Sequence, residues 1–214
     1  MITIYRPIKT NRKTQGFGDN IACSKIGVRP FQVVTKQGQC PAGYQDFYKA
    51  LGMLGHNGED WATWHGEPLY HGGDYVGVMK SEIDSDGGIG VNIISKDKHL
   101  IDGEMTYIKL KYWHLKAAIG YDGKIVNPGD MIGLCDSTGA SSGDHLHWSL
   151  KPCDSKGNNT DPGNGYYGAV DFTPYFKNEF IVDVIDGIKE QVLTLTDQTN
   201  KLIFQVQQWI KGRS

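Results

Sequence analysis

Residues 145–150 read His145-Leu146-His147-Trp148-Ser149-Leu150, and this alternation says what kind of fold carries them. On a β-strand, residues i and i+2 face the same side. His145 and His147 then project together, while Leu146 and Trp148 turn the other way into a core. Just before them lies Ser137-Thr138-Gly139-Ala140-Ser141-Ser142-Gly143-Asp144, a run of small residues that leaves room for a ligand. Taken alone, the His-x-His pair is also what a surface strand with two exposed imidazoles looks like.

Working outward, the same punctuation recurs. Between residues 52 and 151, short apolar runs at 75–79, 91–95, 106–114, 131–135 and 145–150 are separated by turn clusters. That is the pattern of antiparallel strands. Glycine is abundant, 28 of 214 residues without a collagen-like period, which adds tight turns and so points to the same mainly β class. Residues 1–20 read as a short strand and a turn ending in Thr14-Gln15-Gly16-Phe17-Gly18. Residues 21–50 read as irregular and polar, with a short helix near 45–51, and residues 152–173 as a loop.

After Pro174 the character changes. Ile181, Ile185, Ile188, Val192, Leu195, Thr199, Leu202, Val206 and Trp209 recur at alternating spacings of four and three, and all but Thr199 are apolar. This is a seam of heptad type, so residues near 178–211 are expected to form one long helix. Either that helix packs on the β domain, or it forms a coiled coil that oligomerises the chain or docks it on a larger assembly. The expected division is an N-terminal strand and insertion at 1–51, a central β domain at 52–176, and the helical segment at 177–214. No internal repeat is present.

Composition excludes several classes. The formal net charge is −2 and the basic residues form no stripe, so no nucleic-acid footprint is expected. No stretch approaches the roughly 20 apolar residues of a membrane span. The N-terminus, Met1-Ile2-Thr3-Ile4-Tyr5-Arg6-Pro7-Ile8-Lys9, has no apolar secretory core. The chain is expected to be leaderless as given, or to follow a segment not seen. Cys23, Cys40, Cys135 and Cys153 show no C-x-x-C pairing, which removes the zinc-ribbon and thioredoxin-like readings. Free or locally buried thiols are expected, with a Cys23–Cys40 bridge the one alternative kept open. Cys135 and Cys153 flank an apparent hairpin whose register keeps them apart.

Two further stretches carry chemistry. In His56-Asn57-Gly58-Glu59-Asp60 the Asn-Gly step favours a turn entering a strand, and it offers one imidazole and one carboxylate. With a further imidazole from elsewhere, these would make a three-ligand catalytic zinc set with the fourth position open. Tyr112-Trp113-His114-Leu115 ends an apolar run. On its own His114 reads as a satisfied core histidine, but all three stretches occur in order inside the glycine-punctuated region.

Taken jointly, these stretches resemble the lysostaphin-type (LytM-like) zinc endopeptidases. The resemblance also rests on Gly66-Glu67-Pro68-Leu69-Tyr70, on Val126-Asn127-Pro128-Gly129-Asp130-Met131-Ile132-Gly133 and on Thr138-Gly139-Ala140-Ser141-Ser142-Gly143-Asp144 leading into the histidine strand. It covers residues 52–151, with an upstream echo in Gln15-Gly16-Phe17-Gly18. It implies an antiparallel β-sheet peptidase domain of the duplicated-hybrid-motif kind, with one zinc ion held by His56, Asp60 and His147. It further implies that His114 and His145 are catalytic without being ligands. Such an enzyme would cut peptide stems or cross-bridges of bacterial peptidoglycan, acting outside the cell, at the wall, or on a virion as a phage lysin or tail-associated hydrolase. Two other readings stand beside it: a non-catalytic virion or wall-binding protein with a peptidase-like fold, and a zinc peptidase acting on proteins.

Within that resemblance, zinc would bring bound water towards neutrality and polarise the scissile carbonyl. His145 would take the water proton or orient the nucleophile, and His114 would donate to the oxyanion or the leaving amine. Which does which stays open. His71, in His71-Gly72-Gly73-Asp74, is a weak competitor as a ligand, and His65 and His99 read as solvated. The 22–50 insertion and the charged 97–106 segment are each candidates to reshape a wall of the groove.

Overall fold

The protein is described by a computed structural model covering residues 2–19, 22–25, 32–34, 40 and 42–211. In chain order its strands are β1 (Ile4–Arg6), β2 (Lys13–Gln15), β3 (Ala22–Lys25), β4 (Gln32–Val34), β5 (Tyr44–Asp46), β6 (Glu59–Ala62), β7 (Pro68–Tyr70), β8 (Gly77–Asp84), β9 (Gly88–Ser95), β10 (His99–Ile101), β11 (Glu104–Ala118), β12 (Ile125–Val126), β13 (Met131–Cys135), β14 (His145–Cys153) and β15 (Phe176–Phe180). The helices are α1 (Phe47–Ala50) and α2 (Ile181–Lys211). The class is mainly β with a long C-terminal helix.

Ten strands form one sheet along the path β12-β8-β9-β11-β14-β6-β2, with β10 and β13 on β11 and β7 on β13. Every pairing in it is antiparallel. The histidine strand β14 is central, between β11 and β6. Period-two alternation divides its side chains. Leu146, Trp148 and Leu150 are fully buried in the core, and Trp148 stacks parallel to Tyr112 and packs on Phe172 and Phe176. Burying each such apolar side chain contributes roughly 1.5–3 kcal/mol, which fixes the register and so commits His145 and His147 to the opposite face.

Three readings need correction. The apparent hairpin between 131–135 and 145–150 does not form, because β13 pairs with β11 and β7 whereas β14 pairs with β11 and β6. The segment between them crosses to the β8–β9 turn instead, where the Ala140 amide donates to Asp86 O at 2.7 Å and the Thr138 hydroxyl to Leu115 O at 2.8 Å. The 21–50 segment is not simply irregular: β3, β4 and β5 form a three-stranded sheet. Beside it α1 is capped by Asp46, whose carboxylate accepts from the Tyr48 and Lys49 amides. Cys23 and Cys40 are joined in a disulfide, so free thiols are Cys135 and Cys153, both buried.

The 97–106 segment folds as the β10–β11 hairpin and contributes no side chain to the cleft described below. The long helix starts at Ile181, three residues later than expected. Its first turn is anchored, with Ile181 buried and Ile185 beside Gly129. Beyond it the seam residues Ile188, Val192, Leu195, Leu202 and Val206 are each more than half exposed. Among the described residues no helix is long and apolar enough to cross a membrane.

Candidate metal centre

Strand pairing brings the sequence stretches together. His147 lies opposite Asp60 on β6 and opposite Trp113 on β11. His56, in the turn before β6, comes within reach because Gly58 lets that turn approach the strand. A Cβ at Gly58 would fall 2.4 Å from Trp148 O and 2.9 Å from His147 Cε1, so no larger residue fits there.

The ligand-capable atoms form a tight triangle. His56 Nε2 lies 2.9 Å from His147 Nδ1, His147 Nδ1 lies 3.0 Å from Asp60 Oδ1, and His56 Nε2 lies 3.2 Å from Asp60 Oδ1. Tetrahedral zinc with bonds of about 2.0–2.1 Å holds its ligand atoms roughly 3.3–3.4 Å apart, so the triangle needs only a few tenths of an ångström of opening. His56 Nδ1 donates to Gly16 O at 3.0 Å, which places the proton there and leaves Nε2 facing the triangle. The upstream Gly16 therefore orients the His56 ring, one of the three candidate ligands.

The electrostatics suit a cation. Burial would push the Asp60 carboxyl up, but His56 and His147 outweigh it and hold it well below the usual carboxylate range. Burial pushes His147 down to about 3, with Asp60 opposing, so it presents a neutral ring. Burial also disfavours charge on His56, yet Asp60 overcomes it and raises that pKa. An ionised carboxylate and a neutral imidazole are the forms a metal requires. The donor set, two imidazole nitrogens and one carboxylate, fits zinc.

Two more imidazoles border the same space. His145 donates from Nδ1 to Gly143 O at 2.8 Å, with Ser141 Oγ at 3.1 Å, and its Nε2 lies 3.8 Å from Asp60 Oδ1. His114 donates from Nδ1 to Thr138 O at 2.7 Å. Its ring centroid is 4.5 Å from that of His145 and 6.1 Å from that of His147. Burial, then His145, push its pKa down to about 4. All five histidine and aspartate side chains line one cleft of about 350 Å³.

No family model matches the chain. Over 95 residues, 44% of this chain, it is 36% identical to the peptidoglycan DD-endopeptidase ShyA of Vibrio cholerae, of which the match covers 20%. Over 98 residues, 46% of this chain, it is 30% identical to the peptidoglycan DD-endopeptidase ShyB of the same organism, of which the match covers 21%. Within the matched residues the chain is similar to these two peptidoglycan endopeptidases. It spans about a fifth of the length of those curated relatives. Among solved structures, the catalytic domain of lysostaphin from Staphylococcus simulans is similar at 21% identity and a TM-score of 0.48, covering 77% of this chain and 90% of that one.

The remaining histidines lie apart from the triangle. His71 is buried in the core and donates from Nε2 to Tyr75 O at 2.9 Å. His65 donates from Nδ1 to Asp136 Oδ1 at 3.0 Å on the surface. His99, read as solvated, is half-buried against Tyr75 because β10 folds back over that ring. Of the insertion, Phe47 and Tyr48 reach the cleft, where the Tyr48 hydroxyl accepts from Gln15 Nε2 at 2.5 Å. Sequence reasoning passed over Lys111, Ser149 and Lys151, which also line the cleft. The signal was available, since stepping two residues at a time from His145 through His147 reaches Ser149 and then Lys151.

Proposed function

We propose that this chain is a zinc-dependent endopeptidase that hydrolyses peptide stems or cross-bridges of bacterial peptidoglycan, with His56, Asp60 and His147 holding the metal. The observation that carries this reading is the closed triangle of 2.9, 3.0 and 3.2 Å with two further imidazoles on its open side. The two Vibrio cholerae relatives are peptidoglycan DD-endopeptidases, which supports the substrate class. Such a substrate places the enzyme's work outside the cytoplasm, at the wall.

Zinc held by the three ligands would supply a Lewis acid for the scissile carbonyl and bring a water molecule towards neutral pKa. His114 and His145 each fix a proton on Nδ1 by donating it to a backbone carbonyl, so each turns an Nε2 lone pair towards the cleft. Either can accept a proton there. Burial keeps His114 neutral near pH 7, which suits it to take the proton first and pass it to the leaving amine. His145, nearer to Asp60, orients the attacking oxygen.

We further propose that 52–176 is the catalytic unit, that 1–51 contributes the Phe47–Tyr48 wall, and that 177–214 associates copies of the chain or docks it on a larger assembly. To test the enzymatic reading, purified protein is incubated with cell walls and new amines are counted, with and without chelator. Chelator-sensitive release is expected. A zinc-loaded protein that releases nothing from walls of any chemotype would instead be a wall-binding or structural protein.

A further inference from the structure

The cleft continues past the triangle. On the face of β14 that carries His145 and His147, the next two side chains are Ser149 and Lys151, and their neighbours across β11 are Lys111 and Lys109. Ser149 is 1% exposed, and its hydroxyl has no hydrogen-bond partner among the described residues. Lys151 is 5% exposed and donates to Tyr167 O at 2.9 Å, and no described carboxylate pairs with it. Lys111 pairs with Glu82 at 3.1 Å over the face of Trp113, and Lys109 donates to Gly157 O at 2.7 Å. One carboxylate, Glu82, therefore faces three ammonium groups. Asp84, which pairs with Gly88 at the far end of β8, and Asp86 in the following turn also line the cleft.

This arrangement is incomplete by itself. A buried hydroxyl without a partner costs about 1–3 kcal/mol, and a buried ammonium without a counter-ion is disfavoured. Burial, then Lys111 and Lys109, lower the Lys151 pKa to about 7. An anion with two oxygens would satisfy the hydroxyl and restore the charge together.

We propose that Ser149, Lys111 and Lys151 form a subsite for a carboxylate of the substrate, so that the enzyme selects peptides bearing a free acid group near the bond it cuts. The proposal rests on the peptidase reading above. Ser149 is two and Lys151 four residues from His147, which at about 3.3–3.4 Å per residue is roughly 7–13 Å along the strand. An extended substrate would thus carry its carboxylate two to four residues from the scissile bond.

The probes are cross-linked wall peptides with free carboxylates and the same peptides with those carboxylates converted to carboxamides. Zinc-loaded protein is expected to cleave the acid form with kcat/KM at least tenfold higher, mainly through KM, and to bind it correspondingly tighter by calorimetry. In Lys151→Met the ratio should fall to within twofold of one, and in Ser149→Ala, which keeps the charges and removes one small group, it should narrow. A melting curve checks that each variant folds. Equal cleavage and equal binding of both forms overturn the subsite and leave the peptidase reading intact. Cleavage of neither form overturns the peptidase reading, and the binding ratio then still decides the subsite.

Discussion

His114 is tied to Thr138 by a 2.7 Å hydrogen bond from its ring while its own backbone stands in the left-handed region at φ 62°. The register of β11 against β9 shifts between Tyr112 and Leu115, and the last rung with β14 is Trp113 opposite His147. This bulge turns the imidazole into the cleft, with the His114 amide donating to Gly87 O at 3.0 Å. A bulky residue at positive φ costs about 1–3 kcal/mol and persists only where its surroundings hold it.

The first prediction follows from that strain. His114→Ala and His114→Gly should each lose about 10²–10⁴ in kcat, the scale of a general acid–base group, with bound zinc still near one per chain by elemental analysis. Glycine takes positive φ without penalty, so the glycine variant should be more stable than the alanine one by about 1 kcal/mol in denaturant unfolding. Wild-type turnover in either variant would remove His114 from the chemistry.

Metal removal should weaken the fold as well as the activity. Zinc binding only to the native triangle stabilises by RT ln(1 + [Zn]/Kd), about 4 kcal/mol at a thousandfold excess over Kd. Chelator is therefore expected to lower the melting temperature of the wild type, and added zinc to restore it. Asp60→Asn removes the one anionic group among the candidate ligands His56, Asp60 and His147. Its melting temperature should respond far less to chelator and zinc. An unchanged wild-type melting temperature on chelation argues that the triangle holds no metal.

Acid stability should report on His71. Burial pushes its pKa down to about 4, against about 6.5 in an unfolded chain. Between those values the unfolded chain binds the proton and the native chain does not. Stability is thus full above about pH 6.5 and falls as pH is lowered towards 4, by up to about 3 kcal/mol. His71→Gln keeps a donor for Tyr75 O without the titration, so its unfolding free energy should fall less steeply in this window. Parallel slopes for the two proteins would contradict the assignment.

The Cys23–Cys40 bridge holds the three-stranded sheet on which α1 leans. It closes a loop of 17 residues, which by chain entropy is worth about 3 kcal/mol. Because α1 supplies Phe47 and Tyr48 to the cleft, reduction is expected to raise KM several-fold and leave kcat within about twofold. A fall in kcat with KM unchanged would mean that the insertion acts on the chemistry rather than on the wall.

Much of this site was legible because it follows strand alternation. His145, His147 and the buried Trp148 were readable from period two alone, and the Asn57-Gly58 turn from its dipeptide. Backbone partners were not legible. Gly16 O and Thr138 O orient His56 and His114, and a carbonyl leaves no signature in residue type. The absent hairpin has the same origin: a small-residue loop reads alike whether it makes a tight turn or crosses to Asp86. The sequence leaves the disulfide open because pairing depends on Cα distance, here 5.5 Å, and no spacing rule supplies that distance.

The helix α2 yields the last prediction. Its seam was readable as a heptad repeat, yet among the described side chains Ile181 and Ile185 find cover, whereas Ile188, Val192, Leu195, Leu202 and Val206 lie open. Leu193, Ile203 and Phe204 are exposed too, so the apolar surface is wider than one coiled-coil seam. Contiguous apolar surface on this scale marks an association site. A chain ending at Phe176 would lose the β15 residues Lys177 and Phe180, which pair with β1, and the buried Ile181. The informative truncation therefore ends at Gly187. That shortened protein is expected to keep its wall-hydrolysing rate and to run as a single copy by light scattering, while the full chain associates at micromolar concentration. If both run as single copies, the helix does not serve self-association.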